Sequence, residues 1–380
     1  MTAAGTTGDG PPGAPTLGAL TGGQLRRLGA VAGLSDADAG SYAGVLTEAL
    51  GTVAARPLDL GPPNRTFLSD DHTPVEFSLS FRPGAAPALR VLLEPGCGAG
   101  SLARNGRAGL AAVRALARRW RFGTDSLDAV EDLFLPPVPH GPLALWCALE
   151  LRPGGVPRVK VYLNPSASGA GRAAATVRRA LGRLGHARAA AALPEADGYP
   201  FLALDLGDWA EPRVKVYLRH EGLTPGRAGL LAAAAGGPDA AVVEDFFRTA
   251  AAGPGAAPGD LRLDRRPGLT CHAFTGTGSA APAGFTLHVP VRDYAGHDGE
   301  ALARATVLLR RYGIDPAPLP RALSALTGRR LADGVGLIAY LALAHQRDRA
   351  PRVTAYLSCE AYAVRPPEPA ALRPAGALRG

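Results

Sequence analysis

Lysine is nearly absent from this chain of 380 residues, which has only Lys160 and Lys215 among its 41 basic residues. Cysteine and aromatic residues are scarce as well: there are four cysteines, far apart, and aromatic residues make up 6% of the chain. The cysteines form no CxxC pair and no cysteine–histidine cluster, so the sequence indicates neither a zinc site nor a disulfide framework. Scattered arginines and few aromatic rings argue against a nucleic-acid-binding protein, although a formal charge of +8 permits an anionic partner.

Long apolar runs are also missing. No segment offers about 18 uninterrupted apolar residues, so we expect no membrane span. The N-terminal stretch MTAAGTTGDGPPGAPTLGAL lacks the basic region and apolar core of a signal peptide, and we therefore expect a cytoplasmic protein. We expect a single domain at residues 16–365, with flexible tails at residues 1–15 and 366–380.

The stretch PRVKVYL occurs twice, at Pro157–Leu163 and Pro212–Leu218, and each copy holds one of the two lysines. Each copy follows an apolar run and a Pro/Gly turn, which is the pattern of a β-hairpin. Three weaker copies follow the same pattern. The five candidate hairpins are Val75–Pro95, Leu143–Pro165, Phe201–Leu218, Leu269–Pro290 and Gly336–Cys359.

Helical patterns separate the hairpins. They cover Leu102–Arg121, Ser126–Phe134, Ala167–Leu184, Pro225–Ala235, Ala240–Ala251, Gly299–Tyr312 and Pro318–Leu326, with Ser126, Ser166 and Asp298 as expected N-caps. Repeated hairpins and helices predict an α+β fold, a ten-stranded antiparallel β-barrel surrounded by α-helices, because closure removes the exposed edges of a sheet. Ten strands leave room for an interior cavity. An open sheet with helices on one face is the alternative.

The repeated strand separates polar from apolar side chains, because alternate residues of a strand share a face. In the first copy Arg158, Lys160 and Tyr162 share one face, and the valines and leucine share the other. If helices cover the apolar face, the polar face lines the barrel. Alignment of the hairpins then predicts an interior ring: Arg90, Lys160, Lys215, Thr286 and Thr354 at the lysine position; Leu92, Tyr162, Tyr217, His288 and Tyr356 at the tyrosine position; Arg158, Arg213 and Arg352 one step earlier.

The aligned positions contain no acidic residue that would neutralise these cations. Buried cations without counter-charges are unfavourable, so we expect an anionic ligand such as phosphate or diphosphate to supply the charge. Lysine carries a compact point charge, whereas arginine carries a broad planar group. Where two strand positions face one diphosphate, the more compact lysine is favoured. Aromatic rings beside the cations suit departure of a diphosphate and shielding of the carbocation left behind. A solvated sheet face with ordinary cross-strand pairs is the alternative.

These segments resemble the aromatic prenyltransferases of the dimethylallyltryptophan synthase type over about residues 65–362. The two RVKVYL strands, TPVEFSLSF and LRVLLEPG carry the resemblance. It implies a barrel of five repeats and transfer of a prenyl group, usually dimethylallyl, to an indole such as tryptophan, without a metal ion or cofactor. By this resemblance Arg90, Lys160, Arg213 and Lys215 bind diphosphate, Tyr162, Tyr217 and Tyr356 shield the allyl cation, and Glu76 accepts a hydrogen bond from the indole N–H.

The residues around Glu76 partly support its role. Glu76 begins an otherwise apolar strand and shares a face with Ser78 and Ser80, so it is a candidate to face the interior; a solvated strand end is the alternative. Two positions depart from the family, since His288 stands where tyrosine is common and Leu92 is apolar. A neutral His288 can stack on the cation or take part in proton removal.

The base that removes the last proton is not assigned. The strand Leu143–Leu151 contains no lysine for this role. Attack through the indole nitrogen, with Glu76 as base, therefore stays open.

Three competing interpretations are weaker. The segment RVLLEPGCGAGS resembles the glycine-rich loop of S-adenosylmethionine-dependent methyltransferases, but no acidic residue ends a second strand about 20 residues later. A non-catalytic barrel that binds an anionic amphiphile would use the same interior ring. Metal-dependent prenyl transfer is disfavoured because Asp70 and Asp71 are followed by His72 and not by a DDxxD motif. We expect small-molecule substrates as the only partners, without nucleic acid or membrane, and a monomer or homodimer.

Overall fold

A computed structural model describes residues 14–207, 213–255, 261–346 and 349–367. Most of the predicted N-terminal tail, residues 1–13, lies outside the described residues, as does the predicted C-terminal tail from residue 368. The turn of the third predicted hairpin, residues 208–212, lies outside them as well.

Ten antiparallel strands form one closed barrel. Neighbours along the chain pair with each other, and the first strand closes the barrel by pairing with the last. The strands are β1 (Val75–Phe81), β2 (Ala88–Leu93), β3 (Leu145–Glu150), β4 (Arg158–Leu163), β5 (Gly198–Leu206), β6 (Val214–His220), β7 (Gly268–Phe274), β8 (Gly284–Val289), β9 (Ile338–Gln346) and β10 (Arg352–Ser358). The predicted barrel is confirmed, and the open sheet is excluded.

Alternation along the strands separates the lumen of the barrel from the hydrophobic core. In β4 the side chains of Val159, Val161 and Leu163 are at most 2% exposed and join the core, whereas Lys160 and Tyr162 line the cavity inside the barrel. The core therefore lies between the outer face of the barrel and the helices packed on it. Helices contribute apolar side chains to this layer, which stabilises the barrel through burial of apolar surface.

The helices are α1 (Leu17–Val31), α2 (Asp36–Leu50), α3 (Leu102–Trp120), α4 (Asp125–Asp128), α5 (Glu131–Phe134), α6 (Ala173–Arg183), α7 (Ala187–Ala192), α8 (Pro225–Ala234), α9 (Ala240–Ala252), α10 (Asp298–Arg311) and α11 (Pro318–Leu326). Contacts join α3 to β3, α6 to β5 and α10 to β9, so helices cover the barrel from outside. No helix of the described residues is long and apolar enough to cross a membrane.

The predicted helix starts need correction. Ser166 lies in a 3-10 turn, and α6 begins only at Ala173, since two 3-10 turns come first. Helix α4 begins before Ser126, without a side-chain cap. Asp298 is the first residue of α10, and the side chain of His297 caps this helix. Asp298 instead accepts hydrogen bonds from the backbone N–H groups of Gly336 and Leu337, just before β9.

Helices α1 and α2 are absent from the predictions. Thr16 and Ser35 cap them, and the two helices pack against each other. The buried amide of Gln24 donates hydrogen bonds to the carbonyl oxygens of Leu326 (3.1 Å) and Cys359 (2.8 Å). These bonds attach α1 to the end of α11 and to the residue after β10.

Candidate active site

A cavity of about 640 Å³ occupies the lumen of the barrel. Its walls include every site residue that the sequence predicted: Glu76, Arg90, Lys160, Tyr162, Arg213, Lys215, Tyr217, Thr286, His288, Arg352, Thr354 and Tyr356. They lie on six different strands or beside them and meet only because the barrel closes. The geometry thus brings them together; their chemical roles stay predictions.

Basic side chains concentrate towards the hairpin turns. Arg82, Arg90, Arg158, Lys160, Arg213, Lys215, Arg349 and Arg352 all line the cavity. Lys160 and Lys215 occupy matching positions on β4 and β6, and the strand β5 lies between them. The cavity therefore presents a positive surface suited to an anion with several charges.

Two half-buried acids correct the expectation that these cations lack counter-charges. Glu150 pairs with Arg90, with 2.7 Å between Arg90 Nη2 and Glu150 Oε2. Asp205 pairs with Lys160, with 3.1 Å between Nζ and Oδ1, and also binds Arg213. The alignment missed both acids because it compared only the second strand of each hairpin, and they lie on the first strands, β3 and β5.

The acids are held ionised. Burial alone would raise the pKa of Glu150, but Arg90, Lys160 and Arg158 together outweigh burial and lower that pKa to about 2. Burial likewise opposes ionisation of Asp205, yet Lys160, Lys215 and Arg213 hold its pKa below the usual range. Each carboxylate thus keeps its cations ordered when no anion is bound. Three acidic residues, including Glu76, line the cavity together with eight basic residues, so positive charge still predominates.

Lys215 differs from Lys160 in its surroundings. It is 9% exposed, and no carboxylate of a described residue lies within ion-pair distance of it. Burial and the charge of Lys160 lower the pKa of Lys215 well below its usual value. A bound anion would relieve this unfavourable environment, because an adjacent opposite charge favours the charged amine.

A continuous collar of rings lies beside the cations. Tyr162, Tyr217, His288 and Tyr356 follow one another with ring centroids 5.7–5.8 Å apart. Burial lowers the pKa of His288 to about 3, so this ring is neutral and can present its face to a cation. Its Nε2 lies 3.2 Å from the hydroxyl of Tyr356.

Further aromatic residues complete the lumen, and the sequence did not single them out. Phe201 lies 5.7 Å from Tyr217 and 5.1 Å from Trp146, measured between ring centroids. Tyr340 lies 6.3 Å from Tyr356. All three lie on the first strands of hairpins, β3, β5 and β9. Each is paired with a tyrosine of the second strand, and paired residues share a face, so the pairing would have predicted them in the lumen.

Glu76 lies in the lumen at the end opposite the hairpin turns. It is 7% exposed, so the predicted alternative of a solvated strand end is wrong. Burial raises the pKa of Glu76 to about 8, partly offset by Arg292 and reinforced by Asp70. Among the described residues none donates a hydrogen bond to this carboxylate. It is therefore an unsatisfied acceptor that a ligand N–H can satisfy.

The glycine-rich segment after β2 has a structural function. Glu94, 3% exposed, accepts a hydrogen bond from Trp146 Nε1 at 3.2 Å and further bonds from Thr66 and Asn105. Gly96 lies so close to the backbone of Asn105 that a Cβ atom there would stand 2.3 Å from its oxygen. The glycines thus allow close packing of a turn on α3. In a closed antiparallel barrel, the methyltransferase interpretation is wrong.

Comparison with known proteins agrees with this geometry. A family model described as tryptophan dimethylallyltransferase matches residues 40–227. The structure of 5-dimethylallyl tryptophan synthase from Streptomyces coelicolor in complex with DMASPP and Trp is 69% identical, with a TM-score of 0.89. That match covers 93% of this chain and 98% of the other. The chain belongs to the tryptophan dimethylallyltransferase family.

Two other solved members support this membership. The prenyltransferase PriB, in ternary complex with L-tryptophan and dimethylallyl thiolodiphosphate, is 62% identical, with 93% and 99% of the chains covered and a TM-score of 0.89. The 6-dimethylallyltryptophan synthase from Micromonospora olivasterospora is 38% identical, with 93% and 99% covered and a TM-score of 0.85. The predicted resemblance is confirmed, and the chain is a prenyltransferase of the tryptophan dimethylallyltransferase type.

Proposed function

We propose that this prenyltransferase moves a dimethylallyl group from its diphosphate to the indole ring of L-tryptophan, without a metal ion. The observation that carries the proposal is the joint placement of a cation-rich wall and an aromatic collar within one closed lumen. The relatives solved with DMASPP or a thiolodiphosphate and tryptophan support the same substrate pair.

In the first step, the diphosphate binds among Arg90, Lys160, Arg213, Lys215 and Arg352. The C–O bond to the allyl group breaks, and both electrons leave with the diphosphate. Fixed cations stabilise the charge that develops on the leaving group without reorganisation of solvent, so they act on the transition state. The amines and guanidiniums perform here the electrostatic work that a metal ion performs in other prenyl transfers.

In the second step, the allyl cation lies against the aromatic collar. The faces of Tyr162, Tyr217 and Tyr356, with the neutral ring of His288, stabilise it and exclude water. Thr286 and Thr354 line the same cavity, at the positions that correspond to Lys160 and Lys215. The π-electrons of the indole form the new C–C bond, and a base takes the ring proton.

The acceptor is oriented by Glu76. Its carboxylate accepts a hydrogen bond from the indole N–H and so supports the positive charge that develops on the ring during attack. The pKa of Glu76 is about 8 without a ligand. A bound N–H donor stabilises the ionised carboxylate and therefore lowers this pKa.

The test is a mass-spectrometric assay of the purified protein with dimethylallyl diphosphate and L-tryptophan in the presence of EDTA. We expect a product heavier than tryptophan by one C5H8 unit, and its NMR spectrum then defines the ring position attacked. Activity that EDTA abolishes and Mg²⁺ restores would contradict metal independence. Absence of product with any indole, while diphosphate still binds, would favour a barrel that only binds an anionic ligand.

A further inference from the structure

The lumen has a side chamber at the end with the hairpin turns, beside the turns that join β1 to β2 and β9 to β10. Its volume is about 330 Å³. One water molecule occupies about 30 Å³ in the liquid, so the chamber has room for a hydrated anion. Three arginines line it: Arg82, Arg349 and Arg352. The other described residues around it are alanine, proline and glutamine, so none of them carries a negative charge.

Two of these arginines face each other across neighbouring strands. The pairing of β10 with β1 sets Val353 opposite Phe81, so the next position sets Arg352 opposite Arg82. Like charges directly opposite each other destabilise a pair of strands. Arg349 adds a third positive charge from the turn that leads into β10. Strand pairing alone disfavours this arrangement, whereas an anion bound between the guanidiniums would stabilise it.

Arg352 is incompletely paired. It is half-buried, and its Nε is shielded from solvent and has no hydrogen-bond partner in the described part of the chain. Burial, together with the charges of Arg90 and Arg82, lowers the pKa of Arg352 to about 10. An anion in the chamber would supply the missing acceptor and favour the charged guanidinium.

The side chamber lies across the barrel from the two lysines. Its residues belong to β9, β10 and the end of β1, whereas Lys160 and Lys215 lie on β4 and β6, on either side of β5. In the ring of ten strands, β5 is five strands from β10 in either direction. The lysines have Asp205 near them, whereas no described residue of the chamber is acidic. The lumen therefore has two separate basic regions.

We propose that Arg82, Arg349 and Arg352 form an outer site for a diphosphate group, separate from the inner site at the two lysines. The inference rests on the proposed function, in which a prenyl diphosphate enters and inorganic diphosphate leaves. Arg82 and Arg349 are exposed to solvent and also line the cavity, so the outer site meets a ligand at the opening of the lumen. Positive charge at the opening of a cleft increases the rate at which anions are captured.

The first test is calorimetric titration of the wild-type protein with inorganic diphosphate, and we expect two diphosphates to bind to each chain. Arg82→Gln combined with Arg349→Gln should weaken one site by about tenfold, as loss of a charge-assisted hydrogen bond would. Lys160→Ala combined with Lys215→Ala should weaken the other. A single bound diphosphate, weakened by both pairs of substitutions, would place the arginines in the inner site and overturn the proposal. Two sites that do not respond to the arginine substitutions would overturn it as well.

The second test measures kcat/KM for dimethylallyl diphosphate at several salt concentrations. The arginine double variant should lower kcat/KM by about tenfold at low ionic strength, and salt should reduce this difference because it screens exposed charges. Arg321→Gln combined with Arg330→Gln is the matched control, since it removes the same charge from two exposed residues outside the cavity. Thermal denaturation checks that both double variants fold. Equal losses in the two double variants would reduce the effect to net charge and contradict a role in capture.

The two substrates of the outer site are distinguished by the two tests together. Two bound diphosphates with an unchanged kcat/KM in the arginine double variant would assign the outer site to released diphosphate and refute capture of the donor. Wild-type protein that converts no indole would refute the proposed function instead. Wild-type protein that prenylates tryptophan but binds one diphosphate, at the lysines, would refute the outer site alone.

Discussion

At the scale of single residues, the two lysines of the chain differ in what they have as partners. Lys160 shares Asp205 with Arg213, whereas Lys215 is more deeply buried and has no such carboxylate among the described residues. Each lysine stands two positions after an arginine on the same face of its strand. A compact amine on a long side chain can reach a ligand there beside the larger guanidinium. A diphosphate bound as proposed would meet one lysine already ordered by a carboxylate and one that gains its counter-charge only on binding.

Replacement of both lysines should affect the chemical step. We expect Lys160→Ala and Lys215→Ala each to lower kcat/KM for dimethylallyl diphosphate by about 10–100-fold, as a lost charge-assisted hydrogen bond would, with a greater loss in the double variant. The control is Arg330→Ala, which removes an arginine that is 85% exposed and, within the described part of the chain, forms its ion pair with Asp333. Steady-state kinetics measures the loss, and thermal denaturation checks that the variants fold. Full activity of the double variant would refute the role of the two lysines in diphosphate binding.

Glu76 should impose a pH dependence on both activity and stability. Its pKa is about 8, so the carboxylate that accepts the indole N–H forms as pH rises through 8, and kcat/KM for tryptophan should rise with it. Glu76→Gln should remove this limb of the profile. Glu76 titrates within about pH 6–9. A wild-type kcat/KM that does not change over this range would contradict the role of Glu76.

The stability effect has the opposite sign. The folded-state pKa is raised above the ordinary value of 4.5, so the native state binds the proton more tightly than the unfolded chain does. The stability that Glu76 contributes is complete below 4.5 and is lost as pH rises through about 8. The melting temperature of Glu76→Gln relative to wild type should therefore increase from pH 5 to about pH 9.

At the scale of elements, α1 and α2 form a helix pair that depends on small residues. A Cβ atom on Gly29 of α1 would stand 2.9 Å from the Cβ of Ala39 in α2, so the helices touch at a point that only glycine permits. Glycines disfavour helix formation in isolation, which hid α1 from a prediction by residue preference. Packing between the helices compensates for the weak local preference.

Gly29→Ala should separate the pair. We expect a loss of about 1–3 kcal/mol in the free energy of unfolding, the usual effect of overpacking. Gly44→Ala is the matched control, because a Cβ atom on Gly44 of α2 would meet no atom within 4 Å, and there alanine should stabilise by about 0.4–1 kcal/mol. Chemical denaturation of both variants checks the pair, and equal effects of the two substitutions would contradict close packing at Gly29.

At the scale of the whole molecule, closure of the barrel is what creates the site. Glu76 on β1 and Tyr356 on β10 are brought onto one wall by the pairing of these strands, in which Ser78 lies opposite Tyr356. The same closure leaves no free sheet edge in the described barrel. The charged wall and the collar are therefore produced by the complete ring of strands and not by any one repeat.

The prediction from the sequence was good where the signal is local. Alternation in RVKVYL is a property of consecutive residues, so it placed Lys160 and Tyr162 on one face and the valines on the other without knowledge of the fold. Repetition of that pattern in five hairpins then predicted a closed barrel, because closure leaves no exposed sheet edge. The strand bounds and the resemblance followed from the same repeated segments.

Tertiary structure alone decided which groups are neighbours across strands. Glu150 lies opposite Arg90 and Asp205 opposite Lys160 because of the register between separate hairpins, which alternation within one strand cannot reveal. Arg292 and Asp70 are more than 200 positions apart and meet only because the loop before β1 and the turn after β8 reach the same end of the barrel. Sequence determines the face that a side chain takes, and closure of the barrel determines the charges that it meets there.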